Sequence, residues 1–170
     1  MEIDMAALKA KAKAHRDSQP FGVSFEELPK DYPKKLPSQN MKSAVAFLLA
    51  WALANNATNT EFFERYASLL QNTKSRAKTP VELLEAMENK FFAKYLEEQP
   101  RQFLLGYYWP GWKHSYGVDF DKVFVSEYAD PLLVKPGFLS TWHVPPTWAE
   151  YDKMAPIISQ RHSEWVASKR

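Results

Sequence analysis

The chain has 170 residues, of which 45% are hydrophobic, 25% charged and 15% aromatic, with 12 prolines, 5 glycines and no cysteine. A chain of this length buries about 70% of the surface its unfolded form exposes, so a core forms without staples; the missing cysteines exclude disulfides, Fe-S clusters, zinc ribbons and thiol catalysis. A formal charge of +2, with neither half strongly charged, leaves no nucleic-acid footprint.

Residues 1–18 read as an N-terminal helix or arm, and residues 19–170 as a single globular helical domain. Lys9, Lys11, Lys13 and Arg16 give the first segment a basic character, but polar and proline-rich residues follow where a secretory signal needs an apolar run. Ile3, Met5 and Leu8 are too few for a membrane-surface anchor. The most apolar window, Ala44 to Ala54, is about half the roughly 20 residues that a membrane span needs, so it reads as a buried helix. The expectation is a cytoplasmic protein with neither a membrane nor a nucleic acid among its partners. The lack of cysteine suits a reducing compartment.

Prolines 20, 29, 33 and 37 predict an extended connector from Gln19 to Pro37, with one helical turn around Phe25 to Leu28. A central helix follows, capped by Ser38 or Asn40, with Met41, Ala44, Val45, Leu48 and Ala52 at helical spacing and Phe47 and Trp51 on a second apolar edge. Three later helix starts carry a capping box, Thr58 to Glu61, Thr79 to Glu82 and Thr147 to Glu150, the second with Pro80 at its first position and a break near Asn89. Gln99 to Tyr108 is a further helix. Beyond it the glycines and prolines of residues 106–137 predict irregular structure, with short strands at Lys122 to Glu127 and Phe138 to Val144 pairing as a two-stranded ribbon. The last helix begins at Thr147, Pro156 ends or kinks it near Ala155, and a final segment carries His162 and Trp165. The predicted class is mainly α, a helical bundle with a small two-stranded β element in the C-terminal half.

No phosphate loop, GxSxG, HExxH or kinase signature is present. His114, His143 and His162 fall near Asp119, Asp121, Glu127 and Asp130 in sequence, but no two histidines have ligand spacing, and no metal or cofactor is expected. Asp119 and Asp121 share a face only on a strand, where they form either a carboxylate pair or a solvated turn edge. Aromatic residues are the strongest signal: more than half lie between Phe103 and Tyr151, and five of the six tryptophans lie past residue 108. Tyr108, Trp109, Trp112, His114 and Tyr116 surround Pro110 and Gly111, where rings either fill gaps between helices or anchor a protein partner.

The runs YPKKLP (Tyr32 to Pro37), AFLLAWAL (Ala46 to Leu53), TPVELL (Thr79 to Leu84), GYY (Gly106 to Tyr108), YADPLL (Tyr128 to Leu133) and WHVPPTWAEYDKMAPII (Trp142 to Ile158) resemble a bacterial domain family of unknown function over roughly residues 30–168. Its members look like immunity proteins of interbacterial toxin systems, which bind and neutralise a cognate toxin domain. Thr147, Trp148, Tyr151 and Asp152 are the most specific part of the likeness, and such a helical motif transfers fold better than function. Where members often have a His or other polar residue before the tryptophan-bearing helix, this chain has Met41, Ser43 and Ala44, so no polar role is carried over. The resemblance supplies no catalytic residue.

The resemblance implies an immunity protein that occludes a toxin's active site. Its expected partner surface is Tyr108, Trp109, Trp112, His114 and Tyr116, joined by an acidic edge of Asp119, Asp121, Glu127 and Asp130. Two alternatives stay open: a hydrolase using His114, His143, Asp119 or Asp121 to reverse a toxin's modification, and a small-ligand or carbohydrate binder built on the tryptophans. An apolar helix such as Met41 to Ala54 also fits a homo-oligomer interface.

Overall fold

The computed structural model describes residues 3–22, 28, 30, 32–109, 111–128 and 141–170, and these are mainly helical. The α-helices among them are α1 (Met5–Ser18), α2 (Ser43–Ala54), α3 (Thr60–Ser75), α4 (Pro80–Glu85), α5 (Glu98–Tyr108), α6 (Tyr116–Tyr128) and α7 (Trp148–Ser168). Short 3-10 turns stand at Ser38–Lys42, Ala93–Tyr95 and Thr141–His143.

The near-uniform apolarity of α2 makes it the centre, because a helix with no polar face is covered on every side. Ser43 and every residue from Val45 to Leu53 are buried, and α3, α4 and α7 pack around them. Neither Ser38 nor Asn40 caps α2; the turn Ser38–Lys42 runs straight into it, and Ser43 instead donates its hydroxyl to the Val144 carbonyl. At the other end Asn56 takes a left-handed φ of 53°, and the Ala57 amide closes on the Ala52 carbonyl at 2.9 Å.

One of the three expected capping boxes forms in full, Thr79 with Glu82 at α4; at α7 Thr147 accepts the Glu150 amide at 3.3 Å, but the Glu150 carboxylate is taken by Lys153. At α3 the cap is Asn59, which accepts from the Phe62 amide at 3.1 Å, while Thr58 pairs as an isolated bridge with Leu96. The reason lies in tertiary pairing: the backbone at 58 and 59 hydrogen-bonds the 95–96 segment, so the helix starts one residue later. After α4, Glu88 and Asn89 both take positive φ, and the Asn89 amide turns back to the Leu84 carbonyl.

The strand expected at Lys122 to Glu127 is the last half of α6. Val123 and Val125 favour a strand locally, but Tyr116, Phe120 and Phe124 recur every four residues and set their rings against one another and against Phe47 of α2. Packing overrides propensity here. Of the other expected strand, residues 138–140 lie outside the described residues and Thr141–His143 is a 3-10 turn. The described residues contain no strand, so the two-stranded element is not part of the fold they show. Most of the expected turn at Phe25 to Leu28 also lies outside them.

Pro156 does not end the last helix, because α7 runs 21 residues through it. Pro156 sits on the exposed face, four residues beyond exposed Asp152, so the carbonyl it leaves without an amide partner is on the water side. Tyr151, Met154, Ile158 and Trp165 bury the opposite face on both sides of the proline.

Candidate functional site

Asp119 lies in the first turn of α6, where the helix N-terminus favours a negative charge, and is only 5% exposed. Arg161, three turns into α7, donates to both of its oxygens, Nε to Oδ2 at 2.8 Å and Nη2 to Oδ1 at 3.0 Å. The Tyr107 hydroxyl, from α5, donates to Oδ2 at 2.6 Å. Burial by itself raises the Asp119 carboxyl, but the bonds from Arg161 and Tyr107 outweigh it and hold it below the usual carboxylate range. Burial, and then the adjacent Asp119, push the Tyr107 phenol far above its ordinary value. Arg161 Nη1 also reaches Glu164 at 2.9 Å and His114 Nε2 at 3.2 Å.

Both Asp119 oxygens accept, three bonds in all, and a carboxylate whose pKa is depressed by such partners is a poor proton acceptor. Asp119 and Asp121 do not pair, because two residues on a helix are about 200° apart; Asp119 points inward and Asp121 is half-buried on another side of α6. His143 lies in the Thr141–His143 turn and His162 is packed between the rings of Trp51 and Phe103 at 5.4 and 5.0 Å, so His114 alone joins the network. Among the described residues no three His, Asp or Glu side chains gather to hold a metal.

The aromatic loop folds back onto the helices. Tyr116 is 2% exposed and donates to the Ala44 carbonyl at 2.6 Å, tying α6 to α2. Tyr108 meets Phe21 edge-on at 5.3 Å, and Trp109 meets Tyr108 at 4.9 Å. Trp112 is half-buried between Phe103, Tyr107 and His114. Of the expected acidic edge, Asp119 is internal, Glu127 is exposed and bound to Lys153, and Asp130 lies outside the described residues. The expected surface therefore divides into a buried part, Tyr116 and Asp119, and a rim from Trp112 and His114 to Glu127.

Beside this network, between α1, α5 and α7, lies a hollow of about 410 Å³ lined by Lys13, Arg101, Gln102, Trp112, Trp165 and Lys169. Three cations meet two indoles there, and among the described residues none that lines it is acidic. The Lys169 ammonium stands 5.3 Å over the Trp165 ring. The two tryptophans belong to those on which the small-ligand alternative is built, while sequence reasoning missed the cations and Gln102. A Trp165/Lys169 pair four apart signals one helix face, but only once α7 is read as continuous through Pro156.

The outer face of α6 is a second exposed feature. Val118 is 52% and Val125 46% exposed, one turn before and one turn after exposed Lys122 on the same side. Among the described residues no helix is long and apolar enough to cross a membrane.

No curated protein and no solved structure matches the chain. The stretch resembling TPVELL and GYY falls inside a family match, but the Thr147 to Asp152 motif falls outside it. Residues 27–133 match a domain of unknown function, DUF7832, and the chain belongs to that family.

Proposed function

We propose that the protein is an immunity-type binder: a bacterial, cytoplasmic protein that neutralises a cognate toxin domain by stoichiometric contact. The observation that carries this reading is α6. Its inner face is locked by Tyr116, Asp119, Phe120 and Phe124, while its outer face presents Val118, Lys122 and Val125. A rigid helix with exposed valines is a ready docking face, since its ordering cost is already met before binding. The resemblance of the chain's sequence runs to immunity proteins supplies the kind of partner. The grip of Arg161 on Asp119, which holds that carboxyl below its usual range, speaks against Asp119 as the base of the hydrolase alternative.

The test is co-expression with the toxin domain encoded beside it. Protection and a one-to-one complex are expected, and the pair Val118→Asp and Val125→Asp should abolish both with thermal unfolding unchanged. Unprotected cells and no complex with the unsubstituted protein would sink the proposal.

A further inference from the structure

The hollow between α1, α5 and α7 has no part in the α6 face, and we propose that it is a binding site for a nucleoside monophosphate. Three features select that chemistry. The first is charge. Lys13 on α1, Arg101 on α5 and Lys169 just past the end of α7 line one cavity, and among the described residues none of the three is ion-paired to a carboxylate. Three cations outmatch a single carboxylate and suit a phosphate monoester, which carries about −1.5 to −2 at neutral pH. The Arg101 fork can take two of its oxygens.

The second feature is the pair of indoles. Trp112 and Trp165 both rest on Phe103, at ring distances of 6.1 Å each; Trp165 is only 6% exposed, with the Lys169 ammonium over its ring, so half-buried Trp112 is the ring that can meet a ligand. A ring preset in this way stacks a base, as in single-strand binding proteins, which is why a planar group and not an aliphatic one is selected. Gln102, whose amide nitrogen is turned to Glu98, leaves its carbonyl oxygen as an acceptor at the rim for a base amino group.

The third feature is size. A hollow of about 410 Å³ lies in the lower part of the range of small-molecule pockets, about 300–1,000 Å³. It suits one nucleotide, with the base against Trp112 and the phosphate among the cations. Nothing about the hollow implies turnover.

Calorimetric titration of the full chain with adenosine 5′-monophosphate at low salt tests the site, with adenosine and inorganic phosphate as halves of the same ligand. The nucleotide should bind with a Kd near or below about 1 mM, at least tenfold more tightly than either half, and weaken as salt is raised. Arg101→Ala and Lys169→Ala, at residues outside the core, should each weaken it about fivefold or more, and Trp112→Phe should weaken the nucleotide but not phosphate. The proposal fails if the nucleotide gives no heat in the millimolar range or if phosphate alone binds as tightly. It also fails if Arg101→Ala leaves the affinity unchanged, or if only an oligonucleotide binds.

Discussion

Arg161 holds Asp119 by both carboxylate oxygens, at 2.8 and 3.0 Å, and so fastens α7 to α6 at an acid that is only 5% exposed. Arg161→Ala strands that charge in the interior. It should cost about 3–5 kcal/mol, whereas Arg161→Met with Asp119→Leu should cost much less, because removing one buried partner is worse than removing both. Urea unfolding of the single and double variants gives the comparison. Equal losses would mean the pair is no more than a surface contact.

Acid should weaken the fold in two steps. Burial alone pushes the His162 ring below its ordinary pKa. The unfolded chain therefore takes up a proton below about pH 6.5 that the folded chain refuses, and stability falls as pH drops through that window. Asp119 acts lower: its contribution is complete above about pH 3.9 and is lost as pH falls through its depressed folded value. Melting temperatures from about pH 7 to about pH 3 should show both steps, and His162→Leu should remove only the upper one. An upper step that survives that substitution would belong to another group.

Arg76 closes α3 in a left-handed conformation, φ 54°, which costs a non-glycine residue about 1–2 kcal/mol. Its side chain compensates: it grips Asp152 at 2.7 and 2.9 Å and lies 4.7 Å over Trp148, whose ring nitrogen donates to the Lys78 carbonyl. Arg76→Ala keeps the strain and loses the grip, a loss of about 1–2 kcal/mol for a partly exposed pair with its ring contact. Arg76→Gly should be about 1 kcal/mol less damaging. Thermal unfolding followed by tryptophan fluorescence reads both.

The start of α3 discriminates two neighbours. Asn59→Ala removes the cap and a second bond to the Lys94 carbonyl at 2.6 Å and should cost about 1–2 kcal/mol. Thr58→Ala should cost little, since its role is a backbone bridge. Equal costs would return the cap to Thr58.

These residues also mark how far the sequence could be read. The all-round apolarity of Ala44 to Ala54, the Thr79/Pro80/Glu82 signature and the Gln99 to Tyr108 helix depend on neighbours a few residues apart, and the structure has them close to where the pattern puts them. At Val123 to Val125 and at Pro156 the local signal pointed the wrong way, because the deciding contacts, Phe47 to Phe124 and the burial of Ile158 and Trp165, come from distant chain. The acidic edge failed for the same reason: nothing near Asp119 announces Arg161, 42 residues on. The hollow joins α1 to α7, the two ends of the chain, and no spacing rule reaches that far.

The cover of α2 by α7 bears on where this protein can be cut. Trp51 donates to Ser159 at 2.9 Å and meets His162, and Phe47 meets Tyr151, all beyond the family match that stops at residue 133. A ribosome that has released only the matched stretch holds an apolar helix with one side bare, and the same is true of any fragment trimmed to that stretch. Residues 27–133 mark what the family shares in sequence, while the unit that folds needs α7 to close over it.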